Sequence, residues 1–170
     1  RFGNARISLP GGCAIGTRPI DIHLDGLKKL GANFLVENGY VIGQVPKQLH
    51  GNNIILPFPS VGATENILMA ASIAKGKTII ENAAMEPEII SLASMLNKMG
   101  AKITGHGTDK IVINGCSKLK GTDTKIPPDR IEAGTFALAV ATTGGKLKLK
   151  SINIKEIGIL KDVLKKTDVE

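Results

Sequence analysis

The chain has 170 residues, of which 42% are apolar, enough to bury one substantial core with little left for a second large domain. No apolar run approaches the roughly 20 residues that a bilayer crossing requires, and the first residues lack the pattern of a secretion signal, so we expect a cytoplasmic protein that does not bind a membrane. The net charge of +7 permits an anionic partner, but without Trp and with a single Tyr the chain has few side chains for stacking on bases. A small phosphorylated substrate is therefore favoured over nucleic acid.

The predicted elements recur along the chain, and the helical segment at residues 27–32 returns at residues 96–101. A third helical pattern lies at residues 160–166. Strands that follow a glycine are predicted at residues 3–9, 76–81 and 145–150. Strand pairs are predicted at residues 33–36 with 40–45, where Asn38-Gly39 is a typical hairpin turn, and at residues 102–104 with 110–113. Each unit thus reads strand, helix, strand, strand, strand, helix.

Two further helices, at residues 64–74 and 135–143, are apolar nearly all round. This pattern predicts burial on every side. The alternating lysines between residues 146 and 150 are typical of the solvent face of a strand. The architecture expected from these units is α/β.

The repeat is cut at both ends of the chain. We expect residues 1–170 to form a single, incomplete domain with repeat junctions near residues 56–60 and 126–130. Loss of the strands that should follow Lys166 would leave sheet edges unpaired. The chain is therefore predicted to be a fragment of a longer protein.

One loop departs from the repeat and carries a cysteine. The interval from Gly3 to Gly31 is 28 residues, against 24 from Gly76 to Gly100, and the excess falls on residues 10–16 around Cys13. Glycines on both sides predict an exposed loop, and extra loop residues are where function is commonly added to a scaffold.

The charges near this cysteine favour a reactive thiol. Arg18 and His23, near a helix opened by Pro19, favour the thiolate of Cys13. The alternative is a buried structural thiol, which fits Cys116 better. The sequence contains no CxxC motif and no Cys/His cluster, so it suggests neither a disulfide framework nor a metal site.

Four stretches carry a resemblance to a known family. Residues 9–21, Leu-Pro-Gly-Gly-Cys-Ala-Ile-Gly-Thr-Arg-Pro-Ile-Asp, resemble the catalytic loop of the UDP-N-acetylglucosamine 1-carboxyvinyltransferases. Residues 56–66, 81–88 and 128–135 are similar to the same family in the same order. The chain departs at Phe58, where many relatives carry a lysine, and this removes one charged contact.

The resemblance implies the inside-out α/β barrel-like domain of enolpyruvyl transferases, with sheets outside and helices inside. It implies transfer of the enolpyruvyl group of phosphoenolpyruvate to the 3-hydroxyl of UDP-N-acetylglucosamine, in peptidoglycan synthesis, without metal or organic cofactor. Cys13 would be the proton donor, able to form an adduct with phosphoenolpyruvate and to be alkylated by fosfomycin. Arg18 would bind phosphate, and both residues would be catalytic. In the family two such domains close over the substrates, so the resemblance implies that the second domain is absent from this chain and that the isolated chain has little or no turnover.

The resemblance also implies the remaining site residues. His23 would share the catalytic site with Cys13 and Arg18, and Glu86 would lie near the reacting centre. The uracil and ribose would be held by Pro19, Ile20, Asp21 and Ile22, the diphosphate by Ser60, Val61 and Gly62, and the closing loop would involve Asp129 and Arg130. The alternatives are ordinary helix caps at Ser60 and at the acidic residues Glu86, Asp129 and Glu132.

Two other functions remain open. The related transferase acting on shikimate 3-phosphate shares the implied fold but does not rely on a loop cysteine, so Cys13 speaks against it. A basic, repeat-built module binding RNA would make Cys13 incidental.

Overall fold

The computed structural model describes residues 2–11 and 19–166. It divides into two compact units, Arg1–Thr124 and Lys125–Glu170. The division falls beside the junction predicted near residues 126–130, and a single incomplete domain over residues 1–170 stays a prediction. Cys13 and Arg18 lie outside the described residues.

Two sheets and three helices build the described part of the first unit. The first sheet consists of β1 (Asn4–Ser8), β2 (Asn33–Glu37) and β3 (Tyr40–Gln44), antiparallel in the order β1-β3-β2. The second consists of β4 (Asn53–Ile55), β5 (Lys77–Glu81), β6 (Lys102–Thr104) and β7 (Lys110–Asn114), in the order β4-β5-β7-β6. The helices are α1 (Asp21–Lys29), α2 (Val61–Ala71) and α3 (Pro87–Lys98).

The predicted repeat is present in the strand order. β1 and β2 flank β3 as β5 and β6 flank β7, and a helix follows the first strand of each set. The turn between β2 and β3 has positive φ at Asn38 (50°) and Gly39 (77°), as a two-residue type I′ hairpin turn requires. β4 adds to the second sheet parallel to β5, and α2 supplies the crossover between them.

The core of the first unit lies between its helices and the second sheet. Its largest fully buried apolar side chains come from both kinds of element: Leu30, Ile54, Ile67, Leu68, Ile80, Ile89, Ile111 and Ile113. The first sheet contributes far less, since every residue of β1 is exposed. Five of the eleven residues of helix α2 are buried, while Met69 is 45% exposed, so the burial on every side that its composition predicted is present only in part.

The second unit contains α4 (Arg130–Thr143), a 3₁₀ turn at Ile154–Ile157 and α5 (Gly158–Lys165). Two predictions are wrong here. Residues 145–150 form no strand, because the described part of this unit holds no second strand to pair with them. Helix α4 is not buried on every side, since Ile131 is 63% and Phe136 51% exposed, and the described part of this unit holds no sheet against which it could pack.

Within the described ranges, no helix is both long enough and apolar enough to cross a membrane. The mixed α/β fold predicted from the repeats is present in the first unit.

Candidate functional site

The candidate site is built where α1 packs against α2. At Gly26 the two helices come so close that an added Cβ would lie 2.5 Å from Cδ1 of the buried Ile67. Only glycine permits this approach without displacing the neighbouring side chain. The close approach brings the first turns of the two helices side by side.

His23 of α1 reaches α2 at two points. Its Nδ1 lies 2.7 Å from Nδ2 of Asn66. A Cβ added to Gly62 would lie 3.1 Å from Cε1 of His23 and 3.7 Å from its Nε2. His23 and Gly62, predicted from separate motifs, therefore share one site.

The N-terminus of α2 follows the predicted pattern. Ser60 is the N-cap, and its Oγ accepts a hydrogen bond of 3.4 Å from the amide of Ala63 while its carbonyl accepts from the amide of Thr64 at 3.0 Å. The helix itself supplies no acceptor for the first two amides, those of Val61 and Gly62. Ser60 thus caps its own helix, as the alternative interpretation had it, and leaves two amides for an oxygen-rich anion.

A buried threonine ties this helix end to the loop before α3. Thr64 is fully buried, and its Oγ1 donates to the carbonyl of Ser60 at 2.7 Å and accepts from the amide of Ala84 at 3.2 Å. Asn82, with φ of 57°, donates from Nδ2 to the carbonyl of Leu56 at 2.9 Å. The two segments that approach the N-terminus of α2 are therefore held by side-chain hydrogen bonds.

An open groove of about 520 Å³ is lined by residues of α1 and by residues 54–57. Asp21 and Ile22, two of the residues predicted to hold the nucleoside, line it together with Leu56 and Pro57. Its remaining lining residues are Asp25, Gly26, Lys28, Lys29, Ile54 and Ile55. The groove thus combines an apolar floor with charged groups of both signs.

The start of α1 differs from the prediction. The helix begins at Asp21 with Ile20 as its N-cap, so Pro19 precedes the helix and does not open it. Ile20 provides no capping side chain, although its carbonyl accepts from the amide of Leu24 at 3.0 Å.

The acidic candidates divide into two kinds. Glu86 is the N-cap of α3 but makes no capping hydrogen bond with its side chain. Asp129 caps α4, since its Oδ1 accepts from the amides of Ile131 at 2.8 Å and Glu132 at 2.9 Å. The capping interpretation therefore holds for Asp129. Arg130 begins α4, and both residues belong to the second unit.

The second cysteine is less buried than the structural thiol that the sequence indicated. Cys116 is a free, half-buried thiol whose Sγ donates to the carbonyl of Ser72 at 3.2 Å. Across residues 2–11 and 19–166, no group of three His, Cys, Asp or Glu side chains is arranged to hold a metal ion.

Three side chains of the site were missed by sequence reasoning: Thr64, Asn66 and Asn82. Thr64 and Asn66 stood inside a motif that was recognised, yet they received no role. Their part depends on contacts with segments about 20 and 43 positions away, and no local pattern contains that information.

Comparison with known proteins gives the family. The model of EPSP synthase (3-phosphoshikimate 1-carboxyvinyltransferase) matches residues 1–170. UDP-N-acetylglucosamine 1-carboxyvinyltransferase of Gluconacetobacter diazotrophicus is 54% identical over 170 residues, which cover 100% of this chain and 40% of that protein. UDP-N-acetylglucosamine 1-carboxyvinyltransferase 1 of Caldanaerobacter subterraneus is 55% identical over 157 residues, 92% of this chain and 38% of that protein. The chain therefore spans about 40% of the length of the curated relatives it matches.

Solved structures agree on the fold. The enolpyruvyl transferase NikO from Streptomyces tendae superposes with a TM-score of 0.68 at 24% identity, over 82% of this chain and 33% of that one, a likeness of fold alone. EPSP synthase from Acinetobacter baumannii has a TM-score of 0.66 at 26% identity, over 97% of this chain and 37% of that one. The resemblance found in the motifs and the expected enolpyruvyl transferase fold are thus confirmed. With a family model that matches its whole length, the chain belongs to the EPSP synthase family.

Proposed function

We propose that this chain is part of an enzyme that transfers the enolpyruvyl group of phosphoenolpyruvate to the 3-hydroxyl of UDP-N-acetylglucosamine, releasing phosphate, as a step of peptidoglycan synthesis in the cytoplasm. The observation that carries the proposal is the identity of 54% over all 170 residues to a relative with that name. The α1–α2 site supports it, because His23 lies beside Gly62 at a helix end whose first two amides have no intrahelical acceptor.

The reaction proceeds by addition and elimination. The 3-hydroxyl oxygen bonds to C2 of phosphoenolpyruvate, its proton passes to a base, and an acid delivers a proton to C3. The tetrahedral adduct then loses phosphate from C2 and a proton from C3, which restores the double bond. The products are the enolpyruvyl ether and inorganic phosphate, so no oxidant or reductant is needed.

The proposed roles follow the residues of the motifs. Cys13 delivers the proton to C3, and Arg18 binds the phosphate through its guanidinium fork, which matches phosphate oxygens in geometry and charge. Glu86 contributes near the reacting centre. The second domain of the complete enzyme is the required partner.

The proposed substrate contacts lie on both helices of the site. Pro19, Ile20, Asp21 and Ile22 hold the uracil and ribose beside His23, and Ser60, Val61 and Gly62 bind the diphosphate. Asp129 and Arg130 contribute at the closing loop, with the Asp129 carboxylate also capping α4. Neither nucleic acid nor a membrane takes part.

A chimera tests the function directly. Residues 1–170 replace the matching part of the Gluconacetobacter diazotrophicus relative, and phosphate release is measured with phosphoenolpyruvate and either UDP-N-acetylglucosamine or shikimate 3-phosphate. We expect turnover with the sugar nucleotide and none from the isolated chain. Preference for shikimate 3-phosphate would reverse the substrate assignment.

Fosfomycin tests the role of the loop cysteine. A thiolate opens the epoxide by forming a carbon–sulfur bond, and the oxygen that leaves the same carbon takes up a proton. Mass spectrometry of the treated chimera should place the adduct on Cys13, with Cys116→Ser as the matched control that leaves labelling intact. An adduct confined to Cys116 would contradict the proposed role of Cys13.

A further inference from the structure

The hydrogen bond between His23 and Asn66 specifies how the imidazole is protonated. The nitrogen of the Asn66 amide can only donate, and at 2.7 Å from Nδ1 it requires that Nδ1 be the acceptor. In the neutral ring the proton then lies on Nε2. Asn66 thus selects the Nε2–H tautomer of His23.

The same contact orients the ring. With Nδ1 held by Asn66, the Cε1–Nε2 edge of His23 faces Gly62, where a Cβ would lie 3.1 Å from Cε1. A side chain at that position would press on the ring, so glycine preserves the orientation. Nε2 is thereby held near Gly62, 3.7 Å from the position that a Cβ would occupy.

The packing of α1 against α2 fixes the relative position of His23 and Asn66. Ile67 adjoins Asn66 on α2 and packs against Gly26, which lies three residues beyond His23 on α1. Because Ile67 is fully buried, the two helices cannot slide past each other without disturbing the core. The separation of His23 and Asn66 is therefore fixed by the core beneath them.

We infer that Asn66 is a positioning residue, which holds His23 in the Nε2–H tautomer so that this group and the amides of Val61 and Gly62 form a set of donors for the oxygens of a nucleotide diphosphate. The identity of the ligand rests on the proposed function. The tautomer and the orientation of His23 do not.

The first experiment reads the tautomer without any ligand. Long-range ¹H–¹⁵N spectra of the ¹⁵N-labelled 170-residue chain report which imidazole nitrogen carries the proton, and His23→Gln assigns the signals. We expect Nε2–H in the wild type and a mixture of tautomers in Asn66→Ala. Asn66→Asp should place the proton on Nδ1, because a carboxylate can only accept. Met69→Ala, at a position that is 45% exposed on the same helix, is the control and should keep the wild-type spectrum.

The second experiment measures binding of UDP-N-acetylglucosamine by calorimetry to the same variants of the chimera, which contains the second domain, with the unsubstituted chimera as the wild type. Loss of one positioning hydrogen bond should weaken binding by about threefold to tenfold in Asn66→Ala and leave Met69→Ala unchanged. An Nδ1–H tautomer in the wild type, a tautomer insensitive to Asn66→Ala, or unaltered affinity in that variant would overturn the inference. Absence of nucleotide binding by the wild type would instead count against the proposed function, and the spectra would still decide the role of Asn66.

Discussion

Thr64 and Thr78 form a matched pair for testing what holds the loops of the candidate site. Both are fully buried. The hydroxyl of Thr64 bridges the carbonyl of Ser60 and the amide of Ala84, whereas that of Thr78 has no hydrogen-bond partner among the described residues. Valine has nearly the same shape as threonine but lacks the hydroxyl. Thr64→Val should therefore destabilise the first unit, and Thr78→Val should not.

The magnitude follows from which groups lose a partner. The carbonyl of Ser60 still accepts from the amide of Thr64 at 3.0 Å, so Thr64→Val does not leave it unpaired. The amide of Ala84, in a fully buried residue, loses its acceptor, and an unsatisfied buried donor costs about 1–3 kcal/mol. Removal of the unpaired hydroxyl at Thr78 should raise the free energy of unfolding by about 1 kcal/mol.

Urea unfolding of the 170-residue chain and its two valine variants measures these differences, with equal m-values as evidence that the compactness of the unfolded state is unchanged. Hydrogen exchange of the Ala84 amide measures the local effect. This amide should exchange faster in Thr64→Val and at the wild-type rate in Thr78→Val. If both variants lost stability equally, or if Thr64→Val were the more stable, the assigned role of the Thr64 hydroxyl would be refuted.

Two further predictions concern helix packing and capping. Gly26→Ala should cost about 1–3 kcal/mol in urea unfolding, because the added Cβ meets Ile67, whereas Gly121→Ala, with nothing within 4 Å, should cost little; equal effects would contradict the close approach of α1 and α2. Asp129→Ala should destabilise α4 by about 1 kcal/mol and speed exchange of its first amides. Ser60→Ala should lower the free energy of unfolding by less than Asp129→Ala does, because the Ser60 capping hydrogen bond is long, at 3.4 Å. An equal loss of stability in the two variants would contradict the weaker cap at Ser60.

Two strand pairs of the first unit, β2 with β3 and β6 with β7, could be predicted because a short turn joins each pair. Asn38-Gly39 supplies the two positive φ angles that its hairpin requires, so the pairing of β2 with β3 follows from the sequence. The parallel pairing of β4 with β5 is different, because it joins segments separated by α2. Such pairing depends on the burial of that helix, which no turn motif specifies.

The site was predictable in its parts but not in its assembly. Ser60 was recognisable as a cap, and His23 lay in a motif with a known family. Their proximity arises from the contact of Gly26 with Ile67, and an isolated glycine in a helical pattern gives no indication of which residue will face it.

Helices α2 and α4 have similar apolar sequences and differ in burial, because burial depends on the strands beside each helix. β5 lies between β4 and β7, so both of its edges are hydrogen-bonded, and it helps to cover α2. Residues 145–150 have no strand beside them in the described part of the chain, and ordering them would cost about 1–2 kcal/mol per residue without ladder hydrogen bonds in return. Phe136 is 51% exposed on α4, in a unit whose described part holds no sheet. An all-round apolar pattern thus predicts which helix needs a sheet, whereas the partner strands determine whether that sheet forms.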